Sequence, residues 1–340
     1  MEASLHDLSL PWLVAPNYSH PTLKLGDVFQ IITEEMKNNP PDGPISIQEL
    51  VPLVIKSEKH GPFYHVFSMG DLSRSWLCIV LACHQQGKAT LREDFCNFHA
   101  LGAKGIPFFP KCYALRELHV KGSCETLLMG ILEWLDGYYE VHASKEGGIL
   151  RFELWRPNGY RYLSYHETIR FYEGALKILF SCYNPSTQER LSPWTHITGD
   201  FVFNPDPMNP YPVKLTTARG LKVWSDLPSE PELRFIYAGL LWLLETLLIN
   251  RVDRERGIGK LLFLPPYVLK ATLEAFLDEC IRFNQPFFTA LSLLKDMNFE
   301  DLITLYRIVL DELELGHDVE NFLKGKIADH IQDLLTMIQL

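Results

Sequence analysis

At 340 residues, with 47% hydrophobic and 22% charged side chains, the chain has the composition of a folded protein with a real core, long enough for one large domain or two ordinary ones. Its formal charge of −10 argues against the basic surface that non-specific nucleic-acid or anionic-membrane binding requires. The seven cysteines are irregularly spaced with no C-x-x-C pair, which speaks against a disulfide framework or structural zinc and for free thiols in a reducing compartment.

The opening MEASLHDLSLPWLVAP has no basic stretch followed by an apolar core, so no secretory signal is expected and a cytoplasmic location follows. Residues 1–21 show no sustained period. Val28, Ile31, Ile32 and Met36 then recur at helical spacing, predicting one helix over Leu25–Lys37 that stops at NNPPDGP. Val51–Ile55, Phe63–Phe67 and Trp76–Leu81 read as strands, the last a continuous apolar run of buried-strand length. Thr90-Leu91-Arg92-Glu93 reads as a capping box opening a helix with Leu91, Phe95, Phe98 and Leu101 on its apolar face.

Cys112–Leu118 and Thr126–Leu132 form a predicted strand pair turning at Lys121-Gly122, and Ile149–Trp155 with Tyr160–Leu163 a hairpin around Pro157-Asn158-Gly159. Ser164-Tyr165-His166-Glu167 is a second box, opening a helix to Cys182. Short strands at Asp200–Asn204 and Val213–Thr217 follow. Everything after Ser229 reads as helix, starting from a box at Ser229-Glu230-Pro231-Glu232 and ending with a helix over Val319–Ile338. The longest apolar run, Phe235–Ile249, contains Glu245 and falls short of the roughly 20 residues of a bilayer span, so it reads as a buried helix and no membrane association is expected.

Several segments carry a resemblance. Leu127–Gly137 (LLMGILEWLDG) resembles the inter-lobe hinge of aminoglycoside and choline kinases, an apolar strand running into an acidic, Gly-terminated linker. Leu91–Tyr113 is similar to the acid-bearing helix of that superfamily with the strand behind it, and His196-Ile197-Thr198-Gly199-Asp200 to its His-Gly-Asp catalytic loop. The likeness spans Ile45–Gly220. It implies an α+β, two-lobed protein-kinase-like fold with a helical C-terminal lobe. Residues 1–44 would be an extension with one helix, 45–137 a small lobe with its hinge, and 138–340 a larger, mostly helical lobe.

The same resemblance implies ATP and Mg²⁺ as cofactors, Asp200 as catalytic base or metal ligand, and His196 beside it as the alternative base. Lys59, His60, Gly61, Glu93 and Glu133 would lie around the nucleotide. Each residue also has a plainer reading. Asp200 suits an Asx turn, His196 a hydrogen-bonded loop, Glu93 a helix cap, and Lys59-His60 a solvated turn. Lys214 and Arg219 would supply positive charge near Asp200. Asp253-Arg254-Glu255-Arg256 reads as a solvated, mutually paired surface segment.

The sequence departs from the family where the chemistry sits. Ile79-Val80-Leu81-Ala82-Cys83 holds no strand lysine, one glycine stands where a Gly-rich loop is needed, and Val213–Gly220 contains no carboxylate for a second metal. Asn204 follows Asp200 by four residues rather than five. Two functions therefore remain open: a divergent ATP-dependent small-molecule phosphotransferase, or a catalytically inactive kinase-like protein that binds a small-molecule or protein ligand. A helical scaffold unrelated to kinases is the third reading.

Overall fold

The computed structural model describes residues 5–15, 18–41, 53–61, 63–121, 124–192, 197–218, 220–283 and 286–338. The chain divides into two units. One comprises Met1–Gly105 with Pro110–Asp136, and the other Ile106–Phe109 with Gly137–Leu340.

In the first unit the elements run α1 (Leu5–Ser9), β1 (Pro11–Ala15), β2 (Tyr18–Lys24), α2 (Leu25–Asn38), β3 (Val54–His60), β4 (His65–Gly70), β5 (Ser75–Ala82), α3 (Gln85–Gly102), β6 (Cys112–His119) and β7 (Thr126–Glu133). Strands β3 to β7 form an antiparallel sheet in the order β3-β4-β5-β7-β6. The β1–β2 hairpin and α2 share a core with one face of this sheet. Trp12, Val28, Ile32 and Met36 join Phe67, Leu77, Ile79, Leu127, Met129 and Ile131 there. Helix α3 covers the opposite face so tightly that a Cβ on Gly130 would lie 2.5 Å from the Phe95 ring. Burial on both faces explains why β5 and β7 read as unbroken apolar runs rather than alternating ones.

The second unit continues with β8 (Tyr139–Glu146), β9 (Ile149–Arg156), β10 (Gly159–Tyr162), α4 (Tyr165–Cys182), β11 (Arg190–Leu191), β12 (Phe201–Phe203), β13 (Val213–Leu215), β14 (Leu221–Lys222), α5 (Pro231–Ile249), β15 (Val252–Arg254), β16 (Leu261–Phe263), α6 (Pro266–Phe283), α7 (Pro286–Asp296), α8 (Phe299–Glu312), α9 (His317–Lys324) and α10 (Ile327–Ile338). Its main sheet is antiparallel in the order β10-β9-β8-β12-β13. Helix α4 packs on that sheet through Phe171 against Phe203 and Tyr172 against Phe152. The Ser164–Glu167 capping box expected at its start is present, braced by Arg161 on Glu167 at 2.5 Å. Helix α5 is buried from Ala238 to Ile249 as its composition demands, with Trp242 in an aromatic cluster of Phe180, Tyr183, Phe276 and Phe287. Strands β5 and β13 belong to different sheets. Among the described residues no helix is long and apolar enough to cross a membrane. The chain is thus mixed α+β, with antiparallel sheets and a helical C-terminal region.

Several expectations require correction. The N-terminal stretch holds a short helix and a hairpin besides α2. Its alternating Trp12 and Val14 lie inward, a strand signal too short to register in a Pro-interrupted sequence. Helix α3 begins at Gln85, not Thr90. His84 Nδ1 accepts the Gly87 amide at 3.0 Å and does the capping, so Thr90 and Glu93 lie inside the helix. Strand β8 went unread because His142 and Ser144 interrupt its hydrophobic pattern. The region after Ser229 is not all helix: β15, a 3₁₀ turn at Glu255–Gly257 and β16 separate α5 from α6. Ser229 does not cap α5, whose N-cap Glu230 makes no side-chain bond and whose start rests on Pro231. The last predicted helix breaks at Gly325 into α9 and α10. Residues 51–52 and Gly122, part of an expected strand and turn, lie outside the described residues.

Candidate functional site

In the first unit, Lys59, His60 and Gly61 lie at the β3–β4 turn, while Glu93 and Glu133 lie on α3 and at the end of β7. Lys59 is exposed on β3 just past a register shift, opposite Val66. His60 Nε2 donates to the Leu13 carbonyl, and its ring meets His65 edge-on at 5.0 Å. The Gly61 amide donates to the Tyr64 carbonyl at 3.0 Å, closing the turn on itself. Tyr64 in turn donates its hydroxyl to Asp94 on α3 at 3.1 Å. The Phe63 carbonyl approaches α3 so closely that a Cβ on Gly87 would come within 2.0 Å of it. The turn is thus fastened down onto the helix, and a backbone amide that would face a phosphate is spent internally.

Glu93 lies exposed on α3, whereas its neighbour Asp94, 3% exposed, is the carboxylate turned inward. The expected helix start made Glu93 part of a cap, whereas the start at Gln85 leaves it inside the helix on the exposed face. Lys88, 7% exposed, donates to Thr126 Oγ1 at 2.8 Å, so the buried lysine of this unit is held by a hydroxyl. Glu133 accepts the Lys111 amide at 3.2 Å through its side chain and donates its own amide to the Lys111 carbonyl at 2.8 Å, fastening the start of β6 to the end of β7.

In the second unit Asp200 sits in the turn leading into β12. Gly199 adopts φ +89°, which a residue with a Cβ rarely does, and Phe201 donates back to the Ile197 carbonyl at 3.1 Å. The Asp200 carbonyl accepts both the amide and the hydroxyl of Thr216, each at 2.8 Å. Lys214 lies one residue along β13, its ammonium 5.4 Å from the Tyr138 ring centroid. His196 and Arg219 lie outside the described residues.

Behind this turn is a buried polar cluster. Asp253, 1% exposed at the start of β15, accepts the Thr198 hydroxyl and the Ala143 amide, the latter at 3.1 Å. It therefore ties the Asp200 turn to β8 from a position 55 residues further along. His142 on β8, 4% exposed, pairs through Nε2 with Glu140 at 2.9 Å and packs its ring 4.3 Å from Trp155. The expected solvated, self-paired segment Asp253–Arg256 is overturned: Arg254 pairs with Asp318, Arg256 with Glu153, and Glu255 accepts the Lys145 amide. No local signal marks these partners, because each lies about 60 to 110 residues away in sequence.

Chemically, Asp253 already accepts from Thr198 and Ala143, and the described turn itself offers one further carboxylate, Asp200, whose backbone carbonyl holds Thr216. That donor set does not fit the pair of magnesium ions that neutralise charge in phosphoryl transfer, since both metals need carboxylate or amide ligands. Among the described residues no three His, Cys, Asp or Glu side chains are grouped to hold a metal ion. No family model matches the chain, and no curated protein matches it significantly.

Proposed function

We propose that this chain is a kinase-shaped binding protein that does not transfer phosphate, with a small molecule or a protein as its ligand. The kinase-like reading is supported by the first unit's antiparallel sheet order, with the third strand followed by a covering helix and the last strand running into the Glu133–Gly137 linker. The inactive reading is carried by one observation: the β3–β4 turn is closed by Gly61 on Tyr64 and fastened by Tyr64 on Asp94. With its amide so bonded, Gly61 does not offer it to a triphosphate. Thr216 and Thr217 in place of a metal-binding acid agree with it. The competing phosphotransferase reading rests on Asp200, poised after a left-handed glycine at the mouth of a strand. A cytoplasmic location is supported by seven cysteines that form no disulfide.

Thermal shift with ATP, ADP and GTP, each with and without Mg²⁺ or Mn²⁺, tests the proposal. A ligand at a hundredfold excess over its Kd stabilises by about 2.7 kcal/mol, which is readily seen. The expected result is no metal-dependent rise in melting temperature. A rise that needs Mg²⁺ and vanishes in Asp200→Asn would overturn the proposal in favour of the phosphotransferase.

A further inference from the structure

The outward row of β9 contains a carboxylate that ought to be wet and is not. Along Ile149, Arg151, Glu153 and Trp155 the side chains alternate away from the core, and Ile149 and Trp155 are 59% and 40% exposed, yet Glu153 is 0% exposed. Arg256 covers it. The guanidinium reaches Glu153 in a forked arrangement, Nη2 to Oε1 at 2.8 Å and Nε to both carboxylate oxygens at 3.2 Å. Trp155 Nε1 adds a fourth bond at 2.9 Å. The guanidinium carbon also stands 5.3 Å from the centroid of the Tyr160 ring, paired with Trp155 across β9 and β10. Acid, indole and phenol together form the kind of planar, bidentate and aromatic surface that recognises arginine rather than lysine.

The arginine now in that site is carried on a short 3₁₀ turn rather than on the sheet. Arg256 has φ +51° and Gly257 φ +80°, two successive left-handed residues of which only the second is free of a Cβ penalty. The Arg256 side chain is 50% exposed and Ile258 is 93% exposed, so this end of the turn is open to solvent, while Glu255 fastens its start to the Lys145 amide.

An independent observation shows that Arg256 does not complete the site. His142 faces Glu153 across β8 and β9 and packs against Trp155. Its Nε2 sits 2.9 Å from Glu140, and in the neutral ring that donates there Nδ1 is an acceptor. That Nδ1 is buried with no hydrogen-bond partner, and it points at the plug turn itself, where a Cβ on Gly257 would lie 3.1 Å away. A buried acceptor asks for an N–H donor. A guanidinium has five.

We propose that Glu153, Trp155, Tyr160 and His142 form a binding site for a guanidinium group, which Arg256 occupies as a displaceable internal plug. The ligand is a free arginine-like compound or an arginine side chain on a peptide, and the site gains Nδ1 of His142 as a further acceptor when the plug turn moves aside. This inference is independent of whether the protein binds nucleotide.

The test uses the full chain and Arg256→Gly, since glycine suits the left-handed backbone at that position. The probes are L-arginine and an acetylated, amidated Gly-Arg-Gly peptide, with L-lysine and Gly-Lys-Gly as controls, followed by calorimetry. Arg256→Gly should bind an arginine probe at least roughly tenfold more tightly than its lysine counterpart, and more tightly than wild type does. Adding Glu153→Gln to Arg256→Gly should abolish the difference. Preference for the peptide over L-arginine identifies a protein ligand, and the reverse a small molecule. Folded Arg256→Gly that binds neither arginine probe, or binds lysine equally, overturns the proposal. Should that variant fail to fold, the Arg256 Nε–H resonance of wild type is followed by ¹⁵N NMR. It should shift on titration with the arginine probes and not with lysine, and an unchanged resonance is equally fatal.

Discussion

The deepest polar side chains of the two units are satisfied in different ways. In the first unit Lys88 meets the Thr126 hydroxyl, Asp94 the Tyr64 hydroxyl, and His65 lies between the Trp12 indole at 3.0 Å and the Ser57 hydroxyl at 2.7 Å. In the second unit Asp253 likewise meets the Thr198 hydroxyl, but two buried arginines face carboxylates. Arg190 donates to Glu245 at 2.6 Å with both nearly inaccessible, and it also stacks over Trp224, while Arg251 pairs with Asp333 at 3.0 Å. The difference teaches where each unit is fragile. Losing the hydroxyl deprives a buried charge of one charge-assisted hydrogen bond, about 1.5–3 kcal/mol, whereas losing the opposite charge leaves it uncompensated, about 3–5 kcal/mol.

The largest effect should follow from Arg190→Met. Methionine roughly fills the space but strands Glu245, whose carboxyl burial already pushes above its ordinary range against the opposing pull of Arg190. Urea unfolding should show a loss of about 3–5 kcal/mol. A loss below about 1 kcal/mol would erase the contrast, because Glu245 would then be reached by water.

Acid should act next, and on the first unit. His65 is depressed from 6.5 to about 4, first by burial and then by the charge of His60. The folded state therefore prefers the neutral ring. Its contribution is fully present above pH 6.5 and is lost as pH falls through about 4, where protonation also removes the acceptor that Trp12 uses. The loss should approach about 3 kcal/mol. Trp12 fluorescence during acid titration would follow it, and His65→Gln should flatten the stability profile between those pH values. A wild-type profile already flat there would show that the hairpin does not depend on a neutral His65.

The smallest effects separate two adjacent acids. Tyr64→Phe removes the hydroxyl on buried Asp94 and should cost about 1.5–3 kcal/mol, while Glu93→Ala on the exposed face should cost no more than about 0.5 kcal/mol. The reverse order in denaturant melts would mean that α3 turns its other face inward.

How much of this was legible follows from the range of each interaction. The strands β5 and β7, the hairpin at Pro157-Asn158-Gly159, the capping box of α4 and the buried helix α5 were all readable, because each is written in neighbours within one turn or one hairpin. Helix α3 was read five residues late because histidine is an uncommon cap, and that shift made Glu93 part of a cap. Strand β8 was missed because its outward row carries Glu140, His142 and Ser144, which the fold buries beneath other residues.

Composition and local spacing suffice for the mixed α+β class, the apolar periodicity of most core elements and the lack of a lysine in Ile79–Cys83. Only the tertiary structure decided that Gly61 spends its amide on Tyr64, that Asp253 holds the Asp200 turn, and that Arg256 covers Glu153 from 103 residues away. Hydrogen bonds and ion pairs act over about 3 Å in space and carry no mark of sequence separation. Which donor meets which acceptor is therefore settled when sheets and helices pack, and not before.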